Sequence, residues 1–495
     1  GGNDASIYSM TVGMTGQDGV IGGHDVSSYQ RFNFRVNSEH KVIGNLVKVG
    51  QHLTYGHTNS TGVNEGGLYS GSPIRAALNT SPLLPMYDDN GNFLTNKSKN
   101  DITNENVYYN GSAWTPWEAG EANPYAAMNM TESHSTNQKV FGDIYAEIEP
   151  IKGLKIKTVF GIDAFNGGSR SFTPAYQLNM YSYNLNDYAV QSLSKSMKWT
   201  WDNTISYDYK VDDHAITALV GSSFQEFQGE WMSTRNANLV IADYEHAWIN
   251  NATNVTADNL WKFEGAPMEE SKMMSFFGRL NYNYKEKYLA NATFRADGSS
   301  RFAQGNRWGY FPSFSAGWVI SNEDLMSDNS TFDFLKVRAS WGQVGNQNIG
   351  AWQYLATIKT SETYYYYGIG VPEGSLTAPG TSVNVNGSYP NQLGNEKLKW
   401  ETSEQSNIGI DAKFLNSKLS VNLELYNKMT KDWLIKAPAL VTTGFENGFI
   451  NGGDVTNTGV ELSASWNDQI KDFKYGISGN IAYNKYTVGN IPTED

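Results

Sequence analysis

From Phe276 to Ile320 the chain alternates, residue by residue, between apolar and polar side chains. Phe276, Gly278, Leu280, Tyr282 and Tyr284 share one parity; Phe277, Arg279, Asn281 and Asn283 share the other. After Lys285-Glu286-Lys287 the pattern restarts, with Tyr288, Ala290, Ala292, Phe294 and Ala296 against Asn291, Thr293, Arg295 and Asp297. A third run places Tyr310, Phe314, Ala316, Trp318 and Ile320 on one side. A period of two sends successive side chains to opposite faces of a strand, so this sheet has one apolar face and one polar face. Either the apolar face is the core of a soluble sandwich, or it meets lipid while the polar face lines an aqueous lumen. Tyr282, Tyr284 and Tyr288 flank the turn, and a tyrosine ring is apolar while its hydroxyl is wet, which favours lipid.

The same alternation recurs along nearly all 495 residues with no linker or change of composition, so one large sheet fits better than several small cores. A mean hydropathy of -0.49 is compatible with this, because a strand that alternates never raises the average. No run approaches the roughly 18 apolar residues of a membrane helix. The chain opens on G-G-N-D-A-S with no signal-peptide pattern. Cysteine is absent, which rules out disulfides and thiolate metal sites in this chain. A net charge of -13 disfavours nucleic acid as a partner.

Read in order, the pattern predicts about fifteen strands of about ten residues, the length that crosses a bilayer at a tilt. Short connections are expected near Glu39–Gly44, Pro150–Gly153, Val211–Asp213, Lys285–Lys287, Asn416–Ser417 and Gln469–Asp472, with a longer one at Ser321–Asp333. Long polar loops lie between them, near 60–136, 229–270 and 345–398. Short turns alternating with long loops are the asymmetry of an outer-membrane barrel. The expected fold class is therefore all-β, a large antiparallel transmembrane barrel. An odd strand count, and loop-like residues after Asn490, lead to the expectation that residues 1–495 are an internal part of a larger barrel whose final strands lie elsewhere.

Several motifs resemble the SusC/RagA family of TonB-dependent outer-membrane transporters. They are F-R-A-D-G-S-S-R-F (294–302), R-W-G-Y-F-P-S-F-S-A-G-W (307–318), L-K-V-R-A-S-W-G-Q-V-G-N (335–346), L-K-W-E-T-S-E-Q-S-N-I-G-I-D (398–411) and N-G-G-D-V-T-N-T-G-V-E-L (451–462). P-M-Y-D-D-N-G-N-F (85–93) resembles the family's loop hairpin. The resemblance covers the barrel only; the family's signal peptide, TonB-contacting segment and plug domain have no counterpart among these residues. It implies a bacterial outer-membrane barrel of about 22 strands enclosing a plug. It also implies a SusD-like lipoprotein over the outer mouth, and import of oligosaccharides or peptides powered through the TonB–ExbB–ExbD complex. No enzymatic activity and no cofactor are expected. A passive porin-like channel would share the alternation without the motifs. A glycan-binding β protein at the cell surface would need a polar exterior.

Candidate binding residues lie in the long loops: Trp114, Trp117 and Tyr125 in the first, Tyr365 and Tyr367 within the run Tyr364–Tyr367. Aromatic faces stack on sugars and pack on partner proteins; their simpler roles are a small core inside the loop and, for the tyrosine run, a strand. Arg31, Arg35, Arg338 and Glu424 alternate with apolar residues and are expected to face the lumen or a plug. Arg295, Asp297 and Arg301 are expected near the outer mouth, with a turn at Asp297-Gly298 and a wall ion pair as the simpler reading. Asp88-Asp89-Asn90-Gly91-Asn92 lacks the spacing and distal Glu of a calcium loop and reads as a turn. The seven histidines show no metal-binding pattern, so no metal site is expected. Pro312 removes a ladder donor and is expected near a rim or a bulge.

Overall fold

The computed structural model describes the chain except for residues 45, 63–72, 81–84, 88–89, 94–122, 179–182, 254–261, 327–330, 366–384, 440–441, 443 and 490–495. Fifteen strands follow one another through a single sheet in sequence order. The first seven are β1 (Ser6–Asp18), β2 (Ser28–Ile43), β3 (Val47–Thr61), β4 (Glu132–Ile151), β5 (Leu154–Thr173), β6 (Tyr188–Val211) and β7 (His214–Ala237). The rest are β8 (Ser271–Tyr284), β9 (Tyr288–Ser299), β10 (Trp308–Val319), β11 (Phe332–Asn346), β12 (Glu401–Phe414), β13 (Leu419–Lys431), β14 (Val455–Ile470) and β15 (Phe473–Val488). A short strand, Lys262–Pro267, adds to β7. Among the described residues no helix is long and apolar enough to cross a membrane.

Two compact units make up the chain. The first comprises Gly1–Ala146, Val159–Thr200 and Phe227–Glu270; the second comprises Glu147–Thr158, Trp201–Glu226 and Ser271–Asp495.

In the second unit the register turns the sequence alternation into rows. Tyr282, Ala290, Ala316, Ala339, Ile408, Leu425, Val460 and Tyr483 are cross-strand neighbours over eight strands, all apolar or aromatic. One residue along, the row reads Asn281, Asn291, Ser315, Ser340, Asn407, Tyr426, Gly459 and Asn484. A one-residue slip in any hairpin would exchange the two rows, so the turns must hold register. On β15 the apolar parity runs from Tyr475 through Ile477 and Ile481 to Tyr483. On interior strands Ile408 is 57% and Leu425 50% exposed, which no water-facing core strand would tolerate. Eight steps of about 3.3 Å, tilted, span roughly 20 Å between the two tyrosines, close to the apolar band of a membrane barrel.

The tight connections sit where the alternation breaks. Lys285 (φ 52) and Glu286 (φ 55) both take left-handed backbone, and Lys287 N donates to Tyr284 O at 2.9 Å. Positive φ at two successive residues matches the right-handed twist of a hairpin. Beside this turn, Lys287 Nζ lies 3.1 Å from Glu323 Oε2, and the Trp318 indole donates to Glu323 Oε1 at 3.0 Å. The Tyr288 hydroxyl, the indole and the lysine together hold the Glu323 carboxyl below its usual range.

In the first unit β1, β2 and β3 form two hairpins whose rows alternate likewise: Val12, Phe34 and Tyr55 on one face, Gly13, Asn33 and Gly56 on the other. Beyond the strand ends a satellite core forms from Phe172, Ala189, Leu239 and Ala247. Arg170 is sandwiched there, 4.2 Å from the ring centres of both Tyr244 and Trp248. Two aromatic faces stabilise a guanidinium without any carboxylate.

Several strands exceed the expected ten residues. β6 and β7 each run for 24 residues and absorb segments that the sequence pattern reads as loop. Beyond the lipid both faces are wet, so alternation vanishes while backbone pairing continues. The helices Pro73–Asn79 and Pro124–Asn129 lie within the long first loop. Pro312 is neither at a strand end nor at a bulge. It pairs with Phe294 on one side, while the ladder to β11 begins only at Ser313. The missing N–H falls where one ladder has stopped.

Two outcomes are expected. Ile410→Arg, on the apolar row, should cost roughly 2–4 kcal/mol of barrel stability, whereas Asn407→Arg, on the polar row, should cost far less. Urea unfolding followed by heat-modifiable gel migration measures both. Because the Glu323 pKa is depressed on folding, its contribution is complete above the unfolded carboxylate value of about 4.3 and is lost as pH falls through the lower folded value. Melting curves of the parent and Glu323→Gln should therefore differ near neutrality and converge under acid.

Candidate functional site

Arg338 projects from the polar face of β11 over Gly409, its register partner on β12. A Cβ at Gly409 would stand 2.6 Å from the guanidinium carbon, so only glycine leaves room. Arg338 Nη2 donates to Glu424 Oε2 at 2.7 Å, and its Nε lies 3.4 Å from Asp411 Oδ2. Glu461 is the register partner of Glu424. Two carboxylates thus hold one arginine, and a third, Glu461, stands directly opposite Glu424, where like charges repel. Next to this group a concavity of about 620 Å³ is lined by Asn281, Asn283, Asn291, Ser315, Lys336 and Ser340. Amide links run along the polar row: Asn291 donates to Asn281, Asn407 Nδ2 donates to Ser340 Oγ at 3.3 Å, and Gln405 Nε2 donates to Asn407 Oδ1 at 2.9 Å. The wall offers amide and hydroxyl groups at one level and fixed charges at the next.

In the first unit Arg31 and Arg35 stand on the polar face of β2, opposite Thr15 and Thr11 of β1. Arg31 Nε donates to Asn33 Oδ1 at 2.6 Å. Neither arginine has a carboxylate partner among the described residues.

The motif residues around Arg295 are placed differently from the expectation of a turn at Asp297-Gly298. β9 continues through both residues to Ser299, and the turn begins at Ser300. Gly298 is there for closeness: a Cβ would stand 3.1 Å from the Trp308 ring. Asp297 is only 7% exposed and accepts from Arg295 Nε at 2.7 and 2.8 Å, while Arg295 Nη2 donates to Ser275 Oγ at 2.9 Å. Arg301 donates to the carbonyl of Ile349. Arg295 and Asp297 are engaged by the wall itself, and Arg301 by the root of the loop that follows β11.

These contacts frame a core of Phe302, Phe311, Ile349, Leu398 and Trp400. The Trp400 ring lies 5.5 Å from both Phe302 and Phe311, and its indole donates to Arg307 O at 2.8 Å. Gly309 and Gly345 make room for the Phe311 ring. Four separate motifs, around 302, 311, 345 and 400, therefore meet in one knot at the root of the long loops. The sequence reading names the motifs but not this convergence. The available signal was isolated large apolar residues, Phe302, Leu398 and Trp400, in otherwise polar loop text.

Among the loop residues, Tyr125 packs edge-on to Tyr87 and Phe93 at 6.0 and 5.9 Å. Asn123 caps the helix, accepting from Tyr125 N and Ala126 N, and donates to Met86 O at 2.8 Å. The hydrogen bond to Tyr125 holds the Tyr87 phenol above its usual range. Tyr125 thus belongs to a small core within its loop. Trp114, Trp117 and Tyr367, and Asp88 and Asp89 of the expected turn, lie outside the described residues. Tyr364 and Tyr365 end a strand, Thr357–Tyr365, that pairs with Val385–Gln392. An unforeseen residue is Trp352, exposed and held at φ 57, a conformation costly for a bulky side chain. Leu355, Ile358 and Leu393, on the root of the same loop, are exposed with it. No group of side chains suited to hold a metal ion occurs among the described residues.

Removing Arg338 should leave its carboxylates uncompensated. Arg338→Met is expected to cost about 1–2 kcal/mol, between the worth of an exposed and a buried pair. Adding Glu424→Gln should recover part of it, and a double-mutant cycle in urea measures the coupling.

The chain is similar to proteins of known class along its whole length. It is 26% identical over 502 residues to the TonB-dependent receptor SusC of Bacteroides thetaiotaomicron, covering 99% of this chain and 46% of that protein. It is 27% identical over 500 residues to the TonB-dependent receptor P3 of Formosa agariphila, covering 100% of this chain and 45% of that protein. A solved structure of the RagAB peptide transporter superposes with a TM-score of 0.79 at 25% identity, covering 99% of this chain and 50% of the other. The chain therefore spans about half the length of the relatives it matches. The family described as TonB dependent receptor-like, beta-barrel matches residues 56–495. With its apolar rows facing lipid and its polar rows facing inward, the chain belongs to this family of outer-membrane β-barrels.

Proposed function

We propose that this chain is part of the barrel of an energy-coupled importer that takes up an oligosaccharide or a peptide with a SusD-like surface lipoprotein. The observation that carries the reading is the pair of unbroken rows in the second unit, apolar outside and amide-rich inside, in a chain matched end to end by SusC and by the RagAB peptide transporter. An inner wall of asparagine and serine offers donors and acceptors to sugar hydroxyls and to peptide amides alike. Arg31 and Arg35 keep their charges available for a plug seated inside the lumen, as Arg338 and Glu424 brace the wall around it. TonB, ExbB and ExbD would act through such a plug.

The exposed loop-root residues Trp352, Leu355, Ile358 and Leu393 suit a contact with the lipoprotein, because a tryptophan anchor surrounded by apolar residues that exclude water is the common centre of an interface. Trp114 and Trp117, and Tyr365 and Tyr367 of the tyrosine run, are further candidates for cargo or lid contact.

In a host lacking the full-length gene, growth on one oligosaccharide or peptide source should fail. It should return with the parent gene and fail again when TonB is inactivated. Growth that survives TonB loss would replace the importer reading with a passive channel. Trp352→Ala combined with Leu393→Ala should weaken co-purification of the lipoprotein by about tenfold or more without changing heat-modifiable migration of the barrel. Unchanged recovery would remove this loop root from the interface.

A further inference from the structure

Two loops far apart in sequence are joined by one side chain. The first, residues 347–400, connects β11 to β12; the second, residues 432–454, connects β13 to β14. A complete hairpin separates them. Asn451 ends a short strand, Phe449–Asn451, that pairs with Leu434–Lys436 inside the second loop. Its amide reaches across to the first. Asn451 Oδ1 accepts from Lys399 N at 2.9 Å, and Nδ2 donates to Lys399 O at 2.9 Å. The same Nδ2 donates to Asp432 O at 2.9 Å. Only an amide supplies an acceptor and two donors in this arrangement; a carboxylate would lose both donors.

Other contacts repeat the junction. Lys399 Nζ lies 2.9 Å from Asp432 Oδ2. Glu401, 7% exposed, accepts from Leu434 N at 3.0 Å through one oxygen and from Asn346 Nδ2 at 3.2 Å through the other. Asn395 Nδ2 donates to Phe449 O at 3.0 Å, and Glu446 N donates to Asn391 O at 2.9 Å. Leu434 and Phe449 of the second loop pack on the core built by Leu398 and Trp400 of the first.

We infer that segments 391–400, 432–436 and 446–451 move as one body, with Asn451 as the positioning residue that clasps them. A displacement applied to any of them is transmitted to the others. A shared core resists separation, and the clasp resists sliding, because sliding strands the amide and the buried Glu401 carboxylate without partners. The inference concerns the mechanics of the loops and holds whether or not the importer reading does.

The test uses the full-length protein in detergent with spin labels at Lys397→Cys and Lys436→Cys, both exposed, one in each loop. Residues 1–495 hold no cysteine to compete for label, and any cysteine elsewhere in the full-length protein is first replaced by serine. Pulsed dipolar spectroscopy should return one narrow distance distribution. A broad or multiple distribution in this otherwise unaltered protein overturns the proposal, whatever the fate of further variants. Asn451→Leu should then broaden the distribution and speed hydrogen exchange at Lys399 and Leu434 together, by about tenfold, while Ile408 and Ile410 stay protected. A narrow distribution after Asn451→Leu, or faster exchange in one loop only, would show that the amide does not couple them.

Discussion

A peptide N–H or C=O in hydrocarbon has no water to bond, and leaving one unsatisfied costs several kcal/mol. Everything in this chain is arranged around that constraint. Each long strand between the first and the last gives its backbone to two neighbours, and the pairing runs from Tyr282 of β8 to Tyr483 of β15 through seven registers of the second unit. The side chains are then free to answer two solvents at once. Ala316 and Ile408 meet lipid while Ser315 and Asn407, one step away, meet water. Register is the variable that must not fail, and the hairpin turns, with left-handed residues at Lys285 and Glu286, hold it.

Above the lipid the constraint relaxes and another takes over. Long loops expose backbone to water, so they are cheap to extend but costly to order. This protein orders them with small local cores as well as with short two-stranded ribbons. One is the aromatic cluster of Tyr87, Phe93 and Tyr125. A second surrounds Arg170, whose charge is stabilised by two ring faces. The largest joins Phe302, Phe311, Ile349, Leu398 and Trp400. In each case a few apolar residues collapse, and side-chain amides satisfy the backbone that the collapse buries. Asn123 and Asn451 do this work at opposite ends of the chain.

The functional surfaces follow from the division between wall and loop. The wall contributes fixed chemistry, such as the Arg338–Glu424 pair, whose position is set by strand register. The loops contribute shape, and their roots are stiff because the knot binds them. An importer of the kind proposed would need both, a lumen that stays wet and an outer rim that can be gripped. In that proposal the exposed Trp352, held at φ 57, is a rim residue.

The alternation alone determined the strands and which face of each is apolar, because period two is a property of the backbone and needs no knowledge of neighbours; that the apolar face meets lipid took the tyrosines at the turn and the alternation of short turns with long loops as well. The period of two also placed Arg31, Arg35, Arg338 and Glu424 on the polar face. Strand lengths were read too short in β6 and β7, since alternation ends at the membrane boundary while hydrogen bonding does not. The roles of Arg295, Asp297 and Arg301 were not legible: whether a charge faces solvent or is consumed by Ser275, Asp297 or the Ile349 carbonyl depends on residues 2 to 48 positions away. The knot around Trp400 and the clasp at Asn451 were decided by tertiary structure alone. Loop residues carry no periodic signal, and their partners are chosen by which strand ends the fold brings together.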